Sequence, residues 1–467
     1  MASSFSALSS LLIHSLEDAK HILAKQGVQW VECAVPELSS IARGKVLNTD
    51  LFLAQAGCQI PAIIFGLSVH GYEAPEIYKE HFPETLGDTV AKPDWSSFVM
   101  DPLSPRCMAS VLCDVQGSVL APDGVPYDIS DVAPRQLLKR QITKLAEAGL
   151  KAIVAPELEV FLVLKNKDGS LKPAHGISGT VPHEEPSLDM MSLELSSSFA
   201  PYFDQLFHAC SVQGIPVTGY AHEASIGQYE VNFAPGEALA QADAVFRFKR
   251  LAREIARRHG FHATFLPKPY AKELGCGMHW HISLLDAQNR NAFTAEDGSA
   301  HPRFFHFIGG LQAAAPGAMA LYAPYPASFD RIANPYASPA SAAWGYDNRT
   351  VAFRVPEASS HNRRVECRLP GGDSNPYLIL ASMIGAGLAG ITQKISPSEP
   401  ALQAVHMNET LQLPHTQISA LEALEKNDLL NQTFGHRFIR LYCATKRFEA
   451  MQCTGASWTV EHLLTRA

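Results

Sequence analysis

Residues 153–164 read IVAPELEVFLVL, and their alternation sets the architecture. In an extended chain Glu157 and Glu159 share one face, while Leu158, Val160 and Leu162 share the other. Three later segments repeat the design. In GQYEVNF (227–233), Gln228, Glu230 and Asn232 alternate with Tyr229, Val231 and Phe233. In GMHWHISL (277–284), His279, His281 and Ser283 alternate with Met278, Trp280, Ile282 and Leu284. In RVECRL (364–369), Arg364, Glu366 and Arg368 alternate with Val365, Cys367 and Leu369. One such strand reads as a sheet with its polar face in water. Here the four polar faces carry carboxylate, imidazole and guanidinium, and hardly any Lys, Ser or Thr. They read as one curled sheet whose charged faces converge.

Carboxylates that close cannot all stay ionised without cations. Oxygen-rich ligand sets favour Mg²⁺ or Mn²⁺ over Zn²⁺. Glu223 precedes Glu230 by seven residues across a turn at Gly227 and adds another carboxylate. Arg331 in SFDRI, and Arg349 and Arg354 in the candidate strand NRTVAFR, supply forks for carboxylate or phosphate oxygens. The chain has no Gly-x-x-x-x-Gly-Lys-Ser/Thr loop and no dinucleotide fingerprint. ATP would therefore be held by metals and arginines on a sheet. A His-x-His strand also suits a zinc hydrolase, but the carboxylates are too many for a three-ligand zinc site.

Outward from these segments, the 467 residues suggest two domains, or one large one with a lobe attached. A net charge of -8 gives no basic field for nucleic acid or anionic lipid. Nine scattered cysteines without a Cys-x-x-Cys pair read as reduced thiols of a cytoplasmic protein. The start, MASSFSALSSLLIHSL, lacks the positive region of a signal peptide and runs into a helical pattern. Tyr377–Ile391 is apolar, but short for a membrane span, and reads as a buried helix. Residues 1–125 read as short strands (Val28–Ala34, Met108–Val115) around one early helix, with Gly87–Trp95 as a loop. Turn-rich text at 122–135 marks the boundary of a second domain, 126–467. Helices are expected at Arg135–Ala148, at Ala238–His259 and after about Pro400, and a long polar loop at Asn166–Ser198.

PELEVF (156–161), HEASIGQYEVNF (222–233), GCGMHWHISL (275–284), WGYDNRTVAFR (344–354) and RRVECRLPGGDSNPYL (363–378) resemble the glutamine synthetase family, in the family's order. A weaker match is ARGKVL (42–47), where Glu37 and Ser40 stand in place of the family's frequent Asp and Gly. The wording is most similar to the branch that joins glutamate to organic amines. The resemblance implies an α+β fold: an N-terminal β-grasp domain and a catalytic domain on a curved antiparallel sheet flanked by helices. It implies rings of six subunits, single or stacked, with active sites between subunits. It implies Glu159, Glu223 and Glu230 as ligands of one Mg²⁺ or Mn²⁺, and Glu157, His279 and Glu366 as ligands of a second. Arg331, Arg349 and Arg368 would hold the amino-acid carboxylate and the transferring phosphoryl group. Arg354 and His281, with Ser283 beside them, would meet the nucleotide, and Gly275 the substrate amino group. The implied reaction activates the γ-carboxylate of glutamate as γ-glutamyl phosphate, which an amine then displaces.

Two departures bear on the acceptor. The family's ammonia users carry a Glu six residues after the arginine matched by Arg331, and an Asp in the N-terminal domain. This chain has Ala337 at the first place, and at the second IFGLSVHGY (64–72), with Gly66, Leu67 and Ser68 and no carboxylate. His70 is a candidate base there. Lost charge and added room favour an organic amine, and Phe65, Leu67, Val69, Tyr72 and Tyr336 favour an alkyl or aromatic monoamine over a polyamine. The alternatives are an ammonia-using glutamine synthetase and a non-catalytic scaffold or regulator on the same fold. Ala337→Glu tests the first.

Overall fold

In the first sheet, apolar strands β1 (Trp30–Pro36) and β6 (Met108–Gln116) run parallel, from Trp30 opposite Met108 to Ala34 opposite Leu112. The computed structural model describes residues 13–174, 176, 189–332, 338–405, 411–453 and 456–466. Around β1 and β6 lie β2 (Ala42–Asn48), β3 (Cys58–Pro61), β4 (Asp88–Pro93) and β5 (Val99–Met100), in the order β2-β1-β6-β4-β3 with β5 also on β6. The expected loop at Gly87–Trp95 is thus a strand. Thr89 and Ala91 alternate as buried residues, and Pro93 stands at the strand's end, where its missing N–H costs little. The early helix is Leu16–Lys25, capped by the Ser15 side chain.

A ribbon of β7 (Ser118–Leu120) and β8 (Pro126–Asp128) leads into helix α1, Pro134–Glu147. Proline at its first turn and buried Leu137, Leu138 and Leu145 start and anchor it. The second sheet is organised by β9, Leu150–Lys165. β9 pairs with β10 (Leu171–Pro173), β12 (Gln228–Phe233), β13 (Gly236–Glu237), β14 (His262–Thr264) and β15 (Met278–Asp286). With β11 (Val217–His222), β16 (Trp344–Tyr346), β17 (Phe353–Val355) and β18 (Val365–Cys367), the order is β11-β12-β9-β15-β18-β17-β16. All pairs are antiparallel except β16 with β17. The four alternating segments are thus four adjacent strands. The expected loop at Asn166–Ser198 contains β10 and a short helix, Leu193–Ser197; residues 175 and 177–188 lie outside the described residues.

Helix α2 (Ala238–Arg258) buries Val245, Phe246 and Phe248, and Phe248 meets Phe233 of β12 edge-on. Helices α3 (Pro302–Tyr322) and α4 (Pro376–Gln393) approach so closely at Gly310 and Gly390 that a Cβ on either would run into the other helix's backbone. Both are long and apolar enough to cross a membrane, so length does not exclude a span at Tyr377–Ile391. About 72% of each apolar stretch is buried in the protein, as expected of core helices. Past Pro400 the chain is helical, at Gln417–Lys426, Asp428–Phe434, His436–Gln452 and Ala456–Leu463.

Polar contacts fix the two sheets to each other. Arg135 of α1, almost wholly buried, reaches Asp94 (2.9 Å), Asp114 (2.8 Å) and Asp243 of α2 (2.8 Å). Tyr377 of α4 donates to Asp243 at 2.8 Å. Asn375 caps α4, and its Nδ2 donates to the carbonyls of Glu37 and Leu38 beyond β1. One apolar core runs without a break from Val31 and Val111 to Leu158 and Ile384.

Candidate active site

Strand register gathers the predicted residues. Glu159 lies opposite Glu230, Glu157 opposite His279, and His281 opposite Glu366, which faces Arg354. Two glutamates directly across a strand pair repel, so this register needs compensation from the site. Glu223 follows β11 at the hairpin that Gly227 closes with φ near +64°. Two triads of ligand atoms lie within 4.8 Å of one another: Glu157–Glu230–His279 and Glu157–His281–Glu366. His279 Nδ1 also stands 3.7 Å from Glu157 and 3.9 Å from Glu366. The triads cut across the sets implied by resemblance: His281 joins Glu157 and Glu366, and neither Glu159 nor Glu223 falls in a triad; Glu159 Oε2 accepts from Gln228 Nε2 (2.8 Å) and from the Gly277 N–H.

The electrostatics are those of a cation site. Burial, with the Glu223 charge alongside, pushes the Glu159 carboxyl up to about 7. Burial and the charges of Glu157 and Glu159 push Glu230 up to about 8, and burial raises Glu223. Glu157 is held well below the carboxylate range: against the cost of burial, the neighbouring imidazoles of His279 and His281, the latter hydrogen-bonded at 2.9 Å, prevail. Glu366 is held down to about 2 because, against its burial, Arg368, His279, His281 and Arg354 surround it. Burial and the Arg368 charge push His279 down to about 4, so it is neutral and free to ligate. His279 Nδ1 is buried without a hydrogen-bond partner between two carboxylates. That donor set fits a divalent cation.

The arginines fall into two groups. Arg331 is buried in the short helix Phe329–Ile332 and donates to the carbonyls of Leu369 (2.8 Å) and Arg368 (3.2 Å). Arg354 and Arg368 grip the two oxygens of Glu366, Arg354 at 2.7 Å. Arg349 is not in a strand. It sits in the exposed turn before β17, where its charge acts on Glu223 and its carbonyl accepts from Arg368. Gly275 and Gly277 bring the backbone close. A Cβ at Gly275 would run into Arg331, and one at Gly277 would stand 2.8 Å from His279 Nε2 and 3.0 Å from Glu159 Oε1. Gly277→Ala should lower turnover on the order of 100-fold through misplaced side chains. Its urea midpoint should hardly move, and steady-state rates beside an unfolding curve check both.

Several expected residues have other partners. The Ser283 hydroxyl donates to the Arg363 carbonyl (3.1 Å) and accepts from Asn291, locking a loop. Ser68 is buried, and its hydroxyl closes a turn with Tyr72. His70 packs against Phe448, Trp458 and His462, and burial pushes it down to about 4, which suits a structural role better than a base. Tyr336 and Ala337 lie outside the described residues. Among residues without an assigned role, Gln228 also holds the Gly275 carbonyl (3.0 Å), Asn232 holds Glu230 (3.0 Å) and Arg364 donates to His281 Nδ1 (3.3 Å). All three sit on the polar faces of the alternating segments, where the pattern marks them. Asp373 acts on the buried Arg331, and no periodicity announces it.

A family model described as glutamine synthetase, catalytic domain, matches residues 131–462. The chain belongs to the glutamine synthetase family. Gamma-glutamylputrescine synthetase PuuA of Escherichia coli is 32% identical over 430 residues, 91% of this chain and 89% of that protein. Glutamine synthetase of Thermus thermophilus is 32% identical over 379 residues, 78% and 81% of the two chains. Glutamate–isopropylamine ligase of a Pseudomonas species is 29% identical over 441 residues, 93% and 94%. Among solved structures, the GmaS/ADP complex aligns with a TM-score of 0.80 at 26% identity over 96% of this chain and 98% of that one. GmaS without ligand aligns at 0.76 and 27%, over 92% and 94%. This glutamine synthetase relative is an ATP-dependent ligase that forms C–N bonds.

Proposed function

We propose that this ligase joins the γ-carboxylate of glutamate to an organic amine, with alkyl or aromatic monoamines ahead of polyamines, in amine catabolism. The observation that carries the reading is the missing acceptor charge: Ala337, and Gly66–Leu67–Ser68, stand where ammonia users have carboxylates. Two of the relatives are named for putrescine and isopropylamine, a diamine and a monoamine, which supports an organic amine as the acceptor.

In the proposed reaction a γ-carboxylate oxygen of glutamate attacks the terminal phosphorus of ATP, and ADP leaves. The amine nitrogen then attacks the acyl carbon, phosphate leaves, and the nitrogen loses a proton. Glu157, Glu159, Glu223, Glu230, His279 and Glu366 would hold two Mg²⁺ or Mn²⁺ ions, which supply charge neutralisation for the phosphoryl oxygens. Arg331, Arg349 and Arg368 would orient the glutamate carboxylate and the phosphoryl group, with Arg354 and His281 toward the nucleotide. Ser283 reaches the nucleotide in this reading only if its loop contacts open. Ser68 and Ala337 would border the amine, and Gly275 leaves room for the amino group.

The test is phosphate release from ATP with glutamate and Mg²⁺ or Mn²⁺, across ammonia, alkylamines, ethanolamine, polyamines and anilines. Selective turnover of one organic class is expected. Turnover of ammonia alone overturns the reading in favour of an ordinary glutamine synthetase. Ala337→Glu should shift the ratio of rates toward ammonia, by roughly tenfold for one added charge–amine contact. An unchanged ratio would remove Ala337 from the pocket. We further propose a domain boundary at 125/126 and ring assemblies with sites between subunits, seen in light scattering as six or twelve times 50.8 kDa.

A further inference from the structure

The segment 64–72, proposed to border the amine, is built in two parts. Up to Gly66 it is held by packing: Ala62–Gly66 is a buried helical turn, and a Cβ at Gly66 would stand 2.5 Å from the Ile77 side chain. Beyond Gly66 the chain makes a turn closed on itself. Leu67 bridges to Glu73, and the Tyr72 carbonyl accepts from both the Ser68 N–H (2.9 Å) and the Ser68 hydroxyl (2.5 Å). Such a turn fixes its own shape but not its place on the protein.

Its place is set from the far end of the chain. The Val69 N–H donates to Glu449 Oε1 (2.5 Å), and the Val69 carbonyl accepts from Arg466 (2.5 Å), 380 and 397 residues farther along. Glu449 Oε2 in turn accepts from Lys446 Nζ at 2.8 Å, and both side chains are wholly buried. Lys446 lies over the Tyr325 ring at 4.2 Å, and its charge also acts on the buried Glu37. The His70 ring packs on Phe448 of the helix His436–Gln452, and on Trp458 and His462 of the helix Ala456–Leu463. The Val69 side chain is fully buried in a small apolar cluster. That cluster also holds Trp458, Leu463, Phe161 of β9, and Cys276, the residue between Gly275 and Gly277.

A wholly buried ion pair is a weak source of stability, because desolvation of both charges offsets their attraction; its better use is to specify one geometry. Here Glu449 offers one oxygen to Lys446 and the other to a backbone N–H, which an apolar pair of the same size would leave unbonded. We infer that Glu449, oriented by Lys446, and Arg466 are positioning residues for the amine: they clamp Val69 and so set where Leu67 and Ser68 stand against the acceptor. A shift of the segment loosens the amine and leaves ATP and glutamate as they were, since Arg331, Arg354 and His281 are held by contacts of their own. The inference rests on the proposed placement of residues 66–68 at the amine.

The test is steady-state kinetics of the full chain in its native assembly. The probes are ammonia, isopropylamine, ethanolamine, putrescine and aniline, and the one that the parent turns over fastest is carried forward. Two double variants differ only in what they offer Val69. Lys446→Met/Glu449→Leu removes both charges and the acceptor, and Lys446→Met/Glu449→Gln removes the charges but keeps an amide oxygen. The first should raise KM for the amine roughly fivefold or more, the scale of one lost hydrogen bond, with KM for ATP and glutamate within about twofold. The second should return the amine KM to within about twofold of the parent, because its oxygen still accepts. If neither double variant folds, Arg466→Ser at the exposed end decides, with the same amine-specific rise expected and Arg466→Lys reversing it. An unmoved amine KM, an equal rise for all three substrates, or a Gln variant as impaired as the Leu variant would overturn the inference. A parent that uses ammonia alone overturns the organic-amine reading but not the clamp, which is then judged on KM for ammonia. A parent inactive with every probe overturns both.

Discussion

Glu366→Gln lowers phosphate release roughly 1,000-fold or more with every amine, on the scale of losing a main electrostatic stabiliser of a transferring group. Glu366 is fully buried, with Arg354 on one oxygen, Arg368 on the other, and His279 3.9 Å away. The glutamine keeps the shape and removes the charge. Its amide nitrogen then faces a guanidinium, donor against donor, and one arginine is left without its anion. Breaking a buried ion pair from one side costs roughly 3–5 kcal/mol, so the melting temperature falls along with the rate. Mn²⁺ titration separates the two effects: a ligand role predicts weakened metal binding in protein still folded at low temperature. Glu366→Ala adds a void and should be at least as severe. Turnover within tenfold of the parent would remove Glu366 from the metal and phosphoryl machinery.

Arg135→Met has the largest expected effect on stability. Arg135 is the shared counter-charge of Asp94, Asp114 and Asp243, and it ties the first sheet to α1 and α2. Methionine fills much of the space and leaves three carboxylates facing one another. The loss is roughly 3–5 kcal/mol, reduced somewhat because Lys139 also reaches Asp94 and Asp114. The acid response should change as well. Against the cost of burial, Arg135 holds the Asp94 carboxyl down to about 2 from an ordinary 3.8. A depressed folded value means that the contribution is whole above about 4 and is lost as the pH falls toward 2. In the variant that acid slope should flatten. Urea unfolding at pH 7 and at pH 3 measures both, and an unmoved midpoint at pH 7 would show that the carboxylates find other partners.

The catalytic sheet was legible because its chemistry obeys a period of two. Glu157, Glu159, Glu230, His279, His281 and Glu366 each sit one residue away from a buried apolar neighbour, and that alternation survives in the one-letter text. Arg349 was misplaced into a strand because VAF continues the apolar pattern toward it, whereas the strand begins only at Phe353. The strand at 88–93 was hidden by Gly87 and Pro93, residues that usually mark loops. The cluster around Arg135 draws on positions 94, 114, 135 and 243. No local pattern links residues that far apart.

The way β9 is held has a consequence for how the molecule comes apart. A strand bonded to five others should be among the last to open, so its amides should exchange with solvent more slowly than those of the turns around it. Glu157 and Glu159 belong to that strand, while Arg349 sits in an exposed turn held by few contacts, its carbonyl on Arg368 and the next residue's hydroxyl on the Val405 N–H. With the roles proposed above for Arg349 and the carboxylates, warming or mild denaturant is expected to silence phosphoryl transfer while the carboxylates are still in register. Loss of turnover and loss of metal affinity would form two separate transitions, with the catalytic one first.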